Sequence, residues 1–139
     1  MNNVWMSWGI EMQNHELIKN LNLRALKIWD ELCEIHPRLC RFNCPEVKLN
    51  GRMWRCAGQA FQKEGYITLS TKFYNAGFST RMNKIILPHE IIHMADYYLF
   101  GDSNRKCGHG DNWMMLMVQY GLDPEPFHTM NLNQKGEVI

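Results

Sequence analysis

Leu87-Pro88-His89-Glu90-Ile91-Ile92-His93 is the stretch on which the rest of this chain turns. In an α-helix, residues four apart lie on one side, about one turn above each other. His89 and His93 can therefore aim imidazole nitrogens at a single point. Glu90 projects about 100° around the same helix and reaches a water held there. Two imidazoles and a carboxylate in H-E-x-x-H spacing are parts of a zinc site in which the glutamate is general base and not a ligand. The plain alternative is a buried helix whose two histidines are merely hydrogen-bonded.

A catalytic zinc takes three protein ligands and a water, so a third ligand must come from elsewhere. A histidine six residues after His93 would serve, but that position is Leu99. Glu125 is a second option, although its place between Pro124 and Pro126 disfavours a ligand helix. His109, between Gly108 and Gly110, is the better candidate. The helix runs on past His93 for about 10 Å, and residues 101–108 can span at most about 26 Å, so the chain can return. The flanking glycines let the backbone come close.

Outward from this stretch the chain reads as α+β. Residues 1–13 show no clean periodicity and read as an irregular arm. Ile18, Leu21, Ala25, Ile28, Trp29, Leu32 and Ile35 then form one helical stripe, with Asn14 or Asn22 as candidate cap and Pro37 as stop. Val47 and Leu49 alternate up to Asn50-Gly51, a pair that favours a two-residue hairpin turn. Met53–Gln62 reads as the return strand, with Gly58 marking a bulge or a close backbone approach. Tyr66–Ser70 reads as a half-buried third strand, completing a small three-stranded antiparallel sheet. Residues 71–79 read as loop. The second helix, capped by Ser79 or Thr80, is apolar almost all round from Ile85 to Ala95 and is expected to be buried. Pro88 is expected to bend it just before His89. A polar loop over 102–110 leads to a third helix, Asn112–Tyr120, capped by Asp111 and ended by Gly121. Residues 122–139 read as an irregular tail.

At 139 residues the chain is expected to be a single domain, 1–139. Five cysteines, an odd number without a C-x-x-C pair, fit neither a disulfide framework nor a zinc ribbon. With no leader-like start and no apolar run near ~20 residues, the expectation is a reduced, cytoplasmic protein with no membrane partner. The net charge of +1 does not advertise nucleic-acid binding. Locally, Arg38, Arg41, Lys48, Arg52 and Arg55 face one acid, Glu46, and that excess could meet phosphates. A solvated strand face is the commoner explanation of such an excess.

Several stretches together resemble a known family. Arg55-Cys56-Ala57-Gly58, Ile67-Thr68-Leu69-Ser70 and the H-E-x-x-H run are similar in order to the SprT-like/Spartan metalloprotease domain. So is His109-Gly110-Asp111-Asn112-Trp113, with Met114, Gly121, Pro124 and His128. The resemblance implies a zincin-like fold, one Zn²⁺ per chain on His89, His93 and His109, and Glu90 as catalytic base. It also implies a protein substrate, with proteins bound or crosslinked to DNA among the candidates and DNA, single-stranded DNA especially, a candidate partner. The bacterial relatives' C-terminal zinc ribbon has no counterpart here, since the last cysteine is Cys107. Asp96, on nearly the same helix face as His89, is a candidate to orient a ligand imidazole, with an ordinary salt bridge or helix-surface role as the alternative. His128 is a candidate to support an oxyanion or to seat the tail. Arg52 and Arg55 are candidate DNA contacts. The rival reading is a non-catalytic zinc-containing module that binds DNA or protein. Glu90 argues against it, because a structural site needs the histidines and not the base.

Overall fold

The computed structural model describes residues 4–101 and 109–139, with backbone only for residues 4–12. Helix α1 spans Val4–Ile35. Residues 4–13, expected as an irregular arm, are thus its first turns, while residues 1–3 lie outside the described part. A hydrophobic stripe reports burial of a face and not helicity, so a helix that continues without one leaves no periodic trace. The stripe itself is buried at Leu21, Ala25, Ile28, Trp29 and Leu32, but Ile35 at its end is exposed.

Asn22 does not cap the helix. Its Nδ2 donates to the Ile18 carbonyl at 2.9 Å and to the Val47 carbonyl at 3.1 Å, while its Oδ1 accepts the Val47 N–H at 2.9 Å. One amide side chain thereby docks α1 onto the strand that follows. Pro37 stops the helix as expected and opens a 3-10 turn, Pro37–Arg41.

The sheet contains β1 (Glu46–Asn50), β2 (Gly58–Phe61) and β3 (Tyr66–Ser70) in the order β1-β3-β2. β2 pairs antiparallel with β3, but β1 pairs parallel to β3, from Glu46 against Tyr66 to Asn50 against Ser70. The sheet is therefore mixed, correcting the antiparallel expectation. The error lies at Asn50-Gly51. Instead of closing a hairpin, the Asn50 side chain accepts the Arg52 N–H at 2.8 Å, a local turn that leaves the backbone free to cross the sheet. Residues 51–57 make that crossing, and the return strand shrinks to Gly58–Phe61. Two bonds pin the crossing to the end of β3. Ser70 Oγ donates to the Met53 carbonyl at 2.6 Å, and the Ser70 N–H donates to the Ala57 carbonyl at 2.9 Å. As the middle strand, β3 is buried at Ile67, Thr68, Leu69 and Ser70 in succession, not half-buried.

A short helix α2 (Thr71–Asn75) replaces the expected loop; Ser70 Oγ caps it by accepting the Lys72 N–H at 3.2 Å. Helix α3 (Ser79–Arg81) has no side-chain cap and runs through a π turn (Met82–Ile86) into α4 (Leu87–Phe100). The Leu87 N–H reaches back five residues to the Met82 carbonyl. The irregular turn thus comes just before Leu87, where the helical ladder reaches Pro88, the second residue of α4, which has no N–H to donate back to it. Ten of the fourteen α4 residues are buried. Gly101 ends α4 at φ 80°, and Arg38 Nη2 donates to the Leu99 carbonyl at 2.6 Å, satisfying one terminal acceptor. Helix α5 (Asp111–Tyr120) begins one residue earlier than expected. Gly110 precedes it without a side-chain cap, so Asp111 is its first residue and not its cap. Helix α4 packs against α1, α5 and β2. The tail is irregular apart from one bridge, Leu132 to Val138, and it buries Met130 and Leu132. No helix among the described residues is long and apolar enough to cross a membrane.

Candidate metal centre

His89 and His93 lie one turn apart on α4, and His109 stands two residues before α5. Their Nε2 atoms form a near-equilateral triangle, with His89 to His93 at 3.2 Å, His93 to His109 at 3.0 Å and His109 to His89 at 3.2 Å. A neutral imidazole has one donor and one acceptor nitrogen, so three nitrogens converging on one point are poorly served by hydrogen bonds to each other. One cation suits all three lone pairs. Three imidazole nitrogens at about 2.0–2.1 Å from a tetrahedral centre would lie about 3.3 Å apart, close to the triangle seen. The residues fit a metal, and among the described residues this is the one such cluster of histidine, cysteine and carboxylate ligands. Of the sequence candidates for third ligand, the structure brings His109 and not Glu125.

The surroundings keep these rings neutral and available. Burial, then the charges of His109 and His128, lowers His89 to about 4. Burial, then His89 and His109, lowers His93 to about 2. Burial lowers His109 as well. Beneath them lies Trp113, fully buried, with its ring centroid 4.8 Å from His89, 5.2 Å from His93 and 4.6 Å from His109. From the sequence Trp113 reads as core that fixes α5, yet its indole is the floor of the cluster. Its Nε1 is buried and has no hydrogen-bond partner among the described residues.

Glu90 is 6% exposed, and its Oε1 lies 3.7 Å from His89 Nε2, beside the triangle but outside it. Burial raises its carboxyl to about 8. Gly58 on β2 is what admits it. A Cβ at position 58 would meet Glu90 Cγ at 2.9 Å, Leu69 Cδ2 at 3.0 Å and Ile86 Cγ2 at 3.1 Å. The close backbone approach expected at Gly58 is thus a contact between strand and metal helix. Gln62, which sequence reasoning missed, strengthens that contact by donating from Nε2 to the His93 carbonyl at 2.9 Å.

The other candidates divide. His128 is brought to the site. It is close enough to His89 for its charge to depress that ring, it packs edge-on against Phe73 at 5.4 Å, and its Nδ1 accepts the Met130 N–H at 3.1 Å. Burial lowers its own basicity. Asp96 is buried and lifted to about 6 by burial, but no hydrogen bond joins it to a ligand imidazole among the described residues. Arg52 and Arg55 are exposed on the crossing segment and are not part of the cluster, with Arg55 over the Trp54 ring at 4.8 Å. Of the remaining cations in that run, Arg38 holds the end of α4 and Lys48 sits over Tyr66 at 4.0 Å. Phe127, with its ring centroid 5.8 Å from His109, was not singled out from the sequence. Its signal there, an aromatic residue between Pro126 and His128, is too short to read.

No solved structure matches the chain significantly. The family model for SprT-like proteins matches residues 27–130, a span that holds the three clustered histidines, Glu90 and His128. That match covers well over half of the chain, which therefore belongs to the SprT-like family.

Proposed function

We propose that this protein is a zincin-like, zinc-dependent endopeptidase in which His89, His93 and His109 hold one Zn²⁺ and Glu90 is the general base. The observation that carries the reading is a buried carboxylate 3.7 Å from a convergent histidine triangle that does not include it. A structural site needs the triangle alone. Zinc in such a site supplies Lewis acidity, polarising a carbonyl and acidifying water. Glu90 accepts the proton of the attacking water and returns it to the leaving amine. Burial raises its basicity toward neutral pH, where such a transfer is most effective.

His128 supports the same reaction from the tail. Because Nδ1 accepts the Met130 N–H, the neutral ring carries its proton on Nε2, which can donate to a developing oxyanion. Substrate positioning falls to β2. It pairs with β3 on one side only, and among the described residues no strand covers its other side. An extended polypeptide adding to that edge would run past Gly58, the residue in contact with Glu90.

DNA enters as a partner through Arg52 and Arg55, both exposed just before β2, so that proteins held on DNA are the substrates proposed. The test is cleavage of protein substrates by zinc-loaded wild type and Glu90→Gln, with and without single-stranded DNA. The variant should stay folded and zinc-loaded while its rate falls by about 10²–10⁴-fold. Equal cleavage by the two proteins would remove Glu90 from the reaction. No cleavage by zinc-loaded wild type under any of these conditions would favour the non-catalytic binding module.

A further inference from the structure

Phe127 is 72% exposed, yet its position is not loose. Pro126 before it restricts the backbone. His128 after it is tied to the Met130 N–H and packed on Phe73, and Met130 and Leu132 are buried. The tail is thus anchored just after this aromatic ring and leaves the ring in water. The ring stands edge-on to His109, 5.8 Å between centroids at an interplanar angle of 66°. Leaving a Phe side chain exposed forfeits roughly 1.5–3 kcal/mol of burial, which a ligand can recover by covering it.

From this geometry we infer that Phe127 is a specificity-determining residue, an apolar wall beside the metal centre that selects a large hydrophobic side chain next to the bond being cleaved. The inference rests on the peptidase reading and narrows it. Folded proteins bury most large hydrophobic side chains, so the preferred substrates are segments that expose them, such as loosened or unfolded chains. The ring packs against His109, so its part is in substrate choice and not in proton transfer.

Amino-acid hydroxamates, which chelate zinc without being cleaved, separate this inference from the reaction itself. Binding of leucine hydroxamate and glycine hydroxamate to the zinc-loaded protein is measured for wild type, Phe127→Ser and Phe127→Leu. Wild type should prefer the leucine probe by roughly three- to tenfold, the gain from covering part of one aliphatic side chain. Phe127→Ser should lose that preference while its affinity for the glycine probe and its zinc content stay unchanged, and Phe127→Leu should keep most of it. A preference that survives in Phe127→Ser would overturn the inference and leave the peptidase reading standing. So would equal loss for both probes in that variant. If neither probe binds zinc-loaded wild type, the peptidase reading falls and the inference with it. A Phe127→Ser variant that keeps the leucine preference but loses affinity for oligothymidine would assign the ring to nucleobase stacking instead.

Discussion

Helices α1 and α4 lie against each other and are built on opposite principles. Helix α1 buries one apolar stripe and turns Lys27, Asp30 and Glu34 to water. Helix α4 is buried almost all round and carries Glu90, His93 and Asp96 into the interior with it. Burying ionisable groups costs stability unless they are paired or coordinate a metal. The difference separates a helix built for burial alone from one that carries ionisable groups inward to where three histidines converge.

The comparison can be broken most forcefully at the metal. His109→Ala should lower zinc affinity by more than about 100-fold, beyond what changes around a ligand usually cost. Elemental analysis of the purified variant, showing zinc content equal to wild type, would take His109 out of the site. Chelation should lower the thermal midpoint of wild type and leave that of His109→Ala nearly unmoved, since only a ligand that binds the native state stabilises it.

Helix α1 is tested by Leu32→Ala. Leu32 is fully buried, so the variant should lose about 2–5 kcal/mol in denaturant unfolding. Its zinc affinity, measured under conditions where it is folded, should match wild type. A large loss of affinity would mean that the two helices are not separable in this way.

Gly58→Ala probes the contact between β2 and α4. With Glu90 Cγ at 2.9 Å from the added methyl group, overpacking should cost about 1–3 kcal/mol and slow any cleavage while zinc content holds. Full activity in this variant would show that the strand gives way easily and does not position Glu90.

The last effect expected is one of pH on the metal-free protein. The folded pKa of Glu90 is raised from 4.5 to about 8 by burial. Its contribution to stability is therefore fully present below pH 4.5 and lost as pH rises through 8. Removing that carboxyl in Glu90→Gln should make the variant's thermal midpoint gain on wild type between pH 5 and pH 8. A constant gap across that range would show that Glu90 does not titrate with folding.

The helix-borne half of the site was legible in the sequence because its logic is local. His89, Glu90 and His93 are set by helical spacing, and His109 followed from the length of chain needed to return. The sheet was not legible, because strand order depends on pairings across the fold. Asn50-Gly51 carries the composition of a hairpin turn, but whether Asn50 bonds its own backbone or lets the strands pair is decided by β3, not yet made at that point of the chain. Trp113 and Phe127 were hidden for a related reason. An aromatic residue has the same sequence signal whether it fills a core, floors a metal cluster or stands in water beside one. Their roles depend on which rings the fold brings within 6 Å.

The indole beneath the three imidazoles has one more consequence. The chain has five tryptophans, and Trp113 is in ring contact with all three clustered histidines. Tryptophan emission is sensitive to the charge and polarity of groups packed against the ring. A cation drawn into the triangle should therefore change the fluorescence of this one residue, and Trp113→Phe should abolish that change while metal still binds. The protein would then report occupancy of its own centre optically, in stopped-flow time and without a label.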